Sequence, residues 1–93
     1  ELPIDIGRVP SCAVVINDQR VSRKHSTIEW VNGVFVLIDQ STYGTWIRFT
    51  SKTAPEVQLR RNQCILHSNG EMALGVPFSD VSAPILSFQV AAG

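Results

Sequence analysis

Ninety-three residues, 44% of them hydrophobic and 17% charged, amount to one ordinary globular domain. A chain of this length buries roughly 60 to 65% of the surface its unfolded form exposes, enough for a single core. Eight Lys and Arg balance eight Asp and Glu, which argues against a nucleic-acid binder working through a broad basic face, and no apolar run approaches the ~20 residues of a membrane helix.

Along the chain, apolar residues never recur at helical spacing for long enough to define a helix. Short runs rich in β-branched and aromatic residues predict about nine strands instead. They are LPIDI (2–6), CAVVI (12–16), STIEW (26–30), VFVLID (34–39), TWIRF (45–49), EVQL (56–59), CILH (64–67), EMALG (71–75) and ILSFQVA (85–91). Clusters such as GRVPS, NDQR, DQSTYG, RRN and HSNG reverse the chain between them. Turn signals this regular point to an all-β sandwich or barrel. VNG (31–33) reads as a tight hairpin with Gly33 at positive φ. In STIEW the alternation sends Ile28 and Trp30 inward and Thr27 and Glu29 outward. VFVLI is apolar on both faces, as a covered central strand would be. Trp46, Phe35 and Phe88 read as core residues, like Trp30.

Cys12 and Cys64 lack CxxC spacing, and with two histidines they make no convincing zinc cage, so no metal or cofactor is expected. A disulfide between them stays open; buried, reduced thiols and a cytoplasmic location are the favoured reading. The chain opens on Glu1 without a signal-like segment, and residues 1–93 read as one domain excised from a longer protein.

The polar residues that such a scaffold does not need fall in three loops: Arg8 after Gly7; Ser22, Arg23 and His25; and the stretch from Ser41 to Thr45. Loops at one end of a sandwich lie close in space. A phosphorylated side chain carries about −1.5 to −2 charge and three acceptor oxygens. Holding it takes a guanidinium, hydroxyls and free backbone N–H groups. Arg8, Ser22 and Thr42 supply the first two, and the turns at Arg23 and Tyr43 the third.

GR at 7–8, VSRKH at 21–25, D-x-ST-x-GTW at 39–46 and the later LRRN and GEMALG together resemble the forkhead-associated (FHA) domain, in the right order and spacing. The resemblance implies an FHA-type β-sandwich of ten to eleven strands that binds phosphothreonine peptides through loops at one end. Arg8 and Ser22 would then bind the phosphate, Arg23 would assist, and Thr42 would add a hydroxyl contact. Gly7 would let the chain turn beside Arg8, His25 would tie the binding loops together, and Gly44 would support them. The partner would be a phosphothreonine-containing protein or a phosphorylated segment of the parent chain, with no nucleic acid or membrane involved.

Two departures stand out. Tyr43 occupies the position where family members usually carry an Asn that grips the peptide backbone. It thereby becomes a peptide-contacting candidate, and it resembles FHA domains attached to bacterial nucleotide cyclases. The family's strand before the Gly-Arg segment is also missing, which would leave an edge beside ILSFQVA free to pair in a homodimer.

Other readings compete. Singly, Arg8 and Arg23 fit solvated loop charges and Ser22 and Thr42 fit turn caps. Ser22, His25 and Asp39 could be arranged as nucleophile, base and orienter, but no nucleophile elbow or oxyanion hole accompanies them, and catalysis is not expected. The main rival is a degenerate FHA-like module that self-associates or docks to its parent without phosphate.

Overall fold

The computed structural model describes residues 2–51 and 53–90. They form nine strands: β1 (Ile4–Gly7), β2 (Val14–Val15), β3 (Ser26–Val31), β4 (Val34–Asp39), β5 (Thr45–Phe49), β6 (Val57–Leu59), β7 (Gln63–Ile65), β8 (Gly70–Leu74) and β9 (Ile85–Phe88). Each lies within or beside a run legible in the sequence; Ala91, at the end of the ninth run, lies outside the described residues. One sheet has the order β2-β1-β3-β4-β7 and the other β6-β5-β8-β9. Every pairing is antiparallel except β1 with β2, so the chain is an all-β sandwich.

Between the sheets, Ile6, Leu37, Ile47, Leu59, Met72 and Leu74 are buried together. Burial of a side chain of this size contributes about 1.5 to 3 kcal/mol, so truncating Ile47 to Ala would cost roughly 2 to 5 kcal/mol. On β4 the neighbours Val36 and Leu37 are both buried although they point to opposite faces, so the middle of this strand is covered on both sides.

The β3–β4 hairpin turns on Asn32 and Gly33, with φ of 50° and 85°, and joins Val31 to Val34 in register. Two consecutive positive φ values match the right-handed twist of the flanking strands. Two expectations fail here. Thr27, expected to face solvent, is only 8% exposed, covered where its hydroxyl donates to Asp5 Oδ1 at 3.0 Å and accepts from Gln40 at 3.4 Å, and Trp30, expected inward, is not buried. Trp30 is 56% exposed, although the alternation that turns Ile28 toward the core also holds for Trp30. Trp30, Val31 and Val34 are all exposed, so the cover over β3 and β4 ends before the hairpin does. Trp30 packs edge-on against Phe35 at 4.7 Å instead. Phe35 and Phe88 are half-buried against the core, and Trp46 is half-buried outside the core cluster.

Register determines where the loops emerge. Ile6, Ser26 and Asp39 align across β1, β3 and β4, and Leu59, Thr45 and Leu74 align across β6, β5 and β8. The loops that follow β1, precede β3, join β4 to β5 and join β6 to β7 therefore leave from one end, opposite the Asn32-Gly33 turn. Cys12 and Cys64 are free thiols; Cys12 donates to the Arg23 carbonyl at 3.4 Å, and partial burial pushes the Cys64 thiol up.

Candidate functional site

Gly7 ends β1, and a Cβ there would lie 2.1 Å from the Arg23 carbonyl oxygen. The glycine therefore serves close approach of the Ser22–Arg23 turn; its φ is not positive, so the expected turn beside Arg8 is not what requires it. That approach lets the Arg8 N–H donate to both the Ser22 and Arg23 carbonyls at 3.1 Å. The Arg8 side chain donates its Nε–H to the Val21 carbonyl at 3.0 Å. Anchored in this way, the guanidinium keeps both η nitrogens free of partners among the described residues.

His25 is fully buried and links two loops. Its Nδ1 accepts the Ser22 N–H at 3.1 Å, so the ring proton lies on Nε2, which donates to the Gly44 carbonyl at 2.9 Å. Burial holds the imidazole below its ordinary value, against the opposing effects of the Gly44 hydrogen bond and the nearby Asp39 carboxylate. Ser22 Oγ does not meet this ring; it accepts the Thr42 N–H at 3.0 Å. Without a Ser22–His25 side-chain hydrogen bond, the three residues do not make a nucleophile–base pair. With one lone pair taken by Thr42, the Ser22 hydroxyl hydrogen can turn outward.

The loop from Gln40 to Gly44 is built on Asp39, which is buried. Its Oδ1 accepts from Ser41 Oγ at 2.8 Å and Thr45 Oγ1 at 2.6 Å, and its Oδ2 from the backbone N–H of Arg61 at 2.8 Å and of Ser41 at 3.3 Å. Gly44, at φ 102°, donates its N–H to Ser41 Oγ at 2.7 Å and accepts from His25 and from Gly75 N–H. Thr42 and Tyr43 are exposed at the crest of this loop. The backbone N–H groups of Arg23, Lys24 and Tyr43 meet no acceptor among the described residues.

A further brace holds the 16–25 loop. Arg20 pairs with Asp18 at 2.8 Å and reaches across to Ser82 at 2.9 Å and Asp80 at 3.7 Å. Hydrogen bonds from Arg20 hold the Asp18 carboxyl down at about 2.

Arg8, Ser22, Arg23, Thr42, Tyr43, Gly7, His25 and Gly44 thus lie in one connected cluster of loops. Arg60 and Arg61 join them, unassigned from sequence: Arg60 Nη2 donates to the Thr42 carbonyl at 3.3 Å and Arg61 Nε to the Ser41 carbonyl at 3.4 Å. In the sequence RRN reads as a turn and LRRN as part of the family pattern, with no role for either arginine, whose neighbours depend on the register of β6 and β7. No group of His, Cys, Asp and Glu able to hold a metal occurs among the described residues. No described helix is long and apolar enough to cross a membrane.

An anchored guanidinium, a hydroxyl and free N–H groups thus come together at one end of a β-sandwich. The family description "FHA domain" matches residues 4–75, and the chain belongs to that family. Among solved structures it is similar to the N-terminal FHA domain of Saccharomyces cerevisiae Rad53p in complex with a phosphothreonine peptide. Identity there is 32%, the TM-score is 0.64, and the match covers 90% of this chain and 62% of that one. It is also similar to the human APLF FHA domain in complex with an XRCC1 bisphospho peptide, with 26% identity, TM-score 0.63 and coverage of 95% and 85%. Mycobacterium tuberculosis EmbR, in complex with a low affinity phosphopeptide, shares the fold at 21% identity and TM-score 0.69; the match takes in 96% of this chain and only 20% of EmbR. No curated protein matches the sequence.

Proposed function

We propose that this domain binds a phosphothreonine-containing segment of a partner protein or of its own parent chain, in the cytoplasm and without catalysis, metal or cofactor. The observation that carries the reading is the Arg8 guanidinium, fixed by Val21 with its η nitrogens open, beside the Ser22 hydroxyl and the free N–H groups of Arg23 and Tyr43. Such a set matches three phosphate oxygens with charge-assisted donors already oriented before the ligand arrives. The phosphothreonine peptide held by the Rad53p domain supports the same ligand class. In this reading Thr42 lends its hydroxyl to the phosphate, while Gly7, His25 and Gly44 hold the loops in place.

Residues 1–93 are read as one domain of a longer chain. Tyr43, exposed where the family usually has Asn, extends the proposal to a parent of the bacterial nucleotide-cyclase kind.

Arg8→Ala removes one side of a charge pair and is expected to cost about 2 to 5 kcal/mol of binding, which puts affinity below detection. Calorimetric titration of a phosphothreonine peptide into both proteins checks this, with the unphosphorylated peptide as blank. Equal affinity in the two proteins would remove Arg8 from the site.

One observation favours a second reading, phosphate-independent self-association. Strand β9 is the edge of its sheet, beside an apolar cleft of about 380 Å³ lined by Ile4, Ile28, Met72, Leu86 and Phe88. Sedimentation of the domain without phosphopeptide separates the two: a dimer with no phosphopeptide affinity establishes the second reading.

A further inference from the structure

Net charge is zero, yet the positive charge is not evenly spread. Arg20 and Arg48 are paired with carboxylates. Arg8, Arg23, Lys24, Arg60 and Arg61 are exposed on the loops of one end, and none forms a salt bridge among the described residues. A single phosphothreonine supplies about two negative charges to this surface.

Arg61 is held as Arg8 is, by its Nε on the carbonyl of a site loop with both η nitrogens left over, while Arg60 spends Nη2 on the Thr42 carbonyl and keeps Nη1 and Nε open among the described residues. A continuous chain of hydrogen bonds connects the two regions: Arg8 N–H to the Ser22 carbonyl, Thr42 N–H to Ser22 Oγ, and Arg60 Nη2 to the Thr42 carbonyl. Side-chain order of this kind is already present before binding, which lowers the entropy lost when an anion docks.

Arg61 stands moreover at φ 60°, the left-handed region that glycine occupies more easily. Its N–H to Asp39 needs no side chain, so a glycine would make the same turn with less strain. The turn therefore does not require the Arg61 side chain, which bonds the Ser41 carbonyl through Nε and leaves both η nitrogens open among the described residues.

We propose that Arg60 and Arg61 form a second anion subsite beside the phosphothreonine position, which takes a carboxylate or a second phosphate on the same bound segment. The inference rests on the function proposed above and narrows its ligand to acid-flanked phosphothreonine segments.

The test uses peptides with one phosphothreonine and either alanine flanks, an Asp or Glu scanned through the flanking positions, or a second phosphoresidue scanned likewise. Binding is measured by fluorescence anisotropy for wild type, Arg61→Gly, Arg60→Gln and the double variant. Wild type is expected to prefer an acidic or doubly phosphorylated flank by about tenfold, the worth of one charge-assisted hydrogen bond. The double variant is expected to lose that preference, read within each protein as the ratio of acidic-flanked to alanine-flanked affinity. Arg61→Gly is expected to unfold at the same or a higher temperature, so the loss is not one of folding. A larger gain from the carboxylate scan or from the phosphate scan identifies the natural source of the charge.

Wild type that binds all single phosphothreonine peptides alike overturns the inference and leaves the phosphothreonine reading standing. So does a double variant that keeps the acidic preference. Binding of no phosphopeptide at all overturns both, as does a single-stranded oligonucleotide that outcompetes every peptide and depends on the same two arginines.

Discussion

Replacing Asp39 with Asn exchanges one acceptor for a donor inside a buried cluster of four donors. With the amide nitrogen at the Oδ2 position, it faces the N–H groups of Arg61 and Ser41, and two hydrogen bonds become donor–donor contacts. With the nitrogen at the Oδ1 position, it faces Thr45 Oγ1 and Ser41 Oγ, whose hydrogens must turn away. Neither has room to do so at no cost: Ser41 Oγ already accepts from Gly44, and Thr45 is fully buried. Charge-assisted bonds contribute about 1.5 to 3 kcal/mol each against about 1 for neutral ones, partly offset by relief of a buried charge. The net loss comes to about 2 to 4 kcal/mol, or at least about 8 °C in Tm for a domain of this size. Urea unfolding should show a lower midpoint at unchanged slope. A midpoint within about 0.5 kcal/mol of wild type would refute the assignment of Asp39 as the centre of the loop, since surface substitutions alone give that much.

Acidification should destabilise the domain through His25. Because burial holds its imidazole below the ordinary 6.5, the unfolded chain binds the proton more readily than the folded one. Stability is therefore full above pH 6.5 and falls as pH drops below it, by at most about 1.4 kcal/mol per pH unit. Asp18, held at about 2, adds a separate loss as pH falls through its ordinary 3.8 toward that value. Thermal unfolding should show the decline in wild type and not in His25→Gln; a flat wild-type profile contradicts it. Gly7→Ala drives a Cβ into the Arg23 carbonyl and should cost roughly 1 to 3 kcal/mol, with loss of phosphopeptide binding as the Ser22–Arg23 turn moves. Retained affinity and Tm would show that the turn yields freely. Tyr43→Asn should tighten phosphopeptide binding by restoring an amide contact to the peptide backbone, about tenfold for one hydrogen bond. Weaker binding would instead assign Tyr43 a contact of its own.

Most of the strand content was legible because it follows from local chemistry: β-branched and aromatic runs favour extended backbone, and Asn32-Gly33 tolerates the positive φ of a two-residue turn. That Arg8, Ser22, Thr42 and Tyr43 share one cluster of loops was likewise legible, through the order and spacing of the motifs that resemble the family. Other features depended on facts that no local window contains. Trp30 has the right alternation for the core but lies beyond the reach of the facing sheet, and alternation reports a face without saying whether anything covers it. Asp39 stands out in the sequence as the start of a motif and a possible orienter, but its part as the acceptor at the centre of the loop shows only when Arg61, 22 positions away, brings its N–H to 2.8 Å. Arg60 and Arg61 read as a turn until the register of β6 and β7 sets them against the Ser41–Thr42 carbonyls. Backbone preference and periodicity are short-range and can be read along the chain; cover, register and the meeting of charges from separate loops are settled only when the two sheets close on each other.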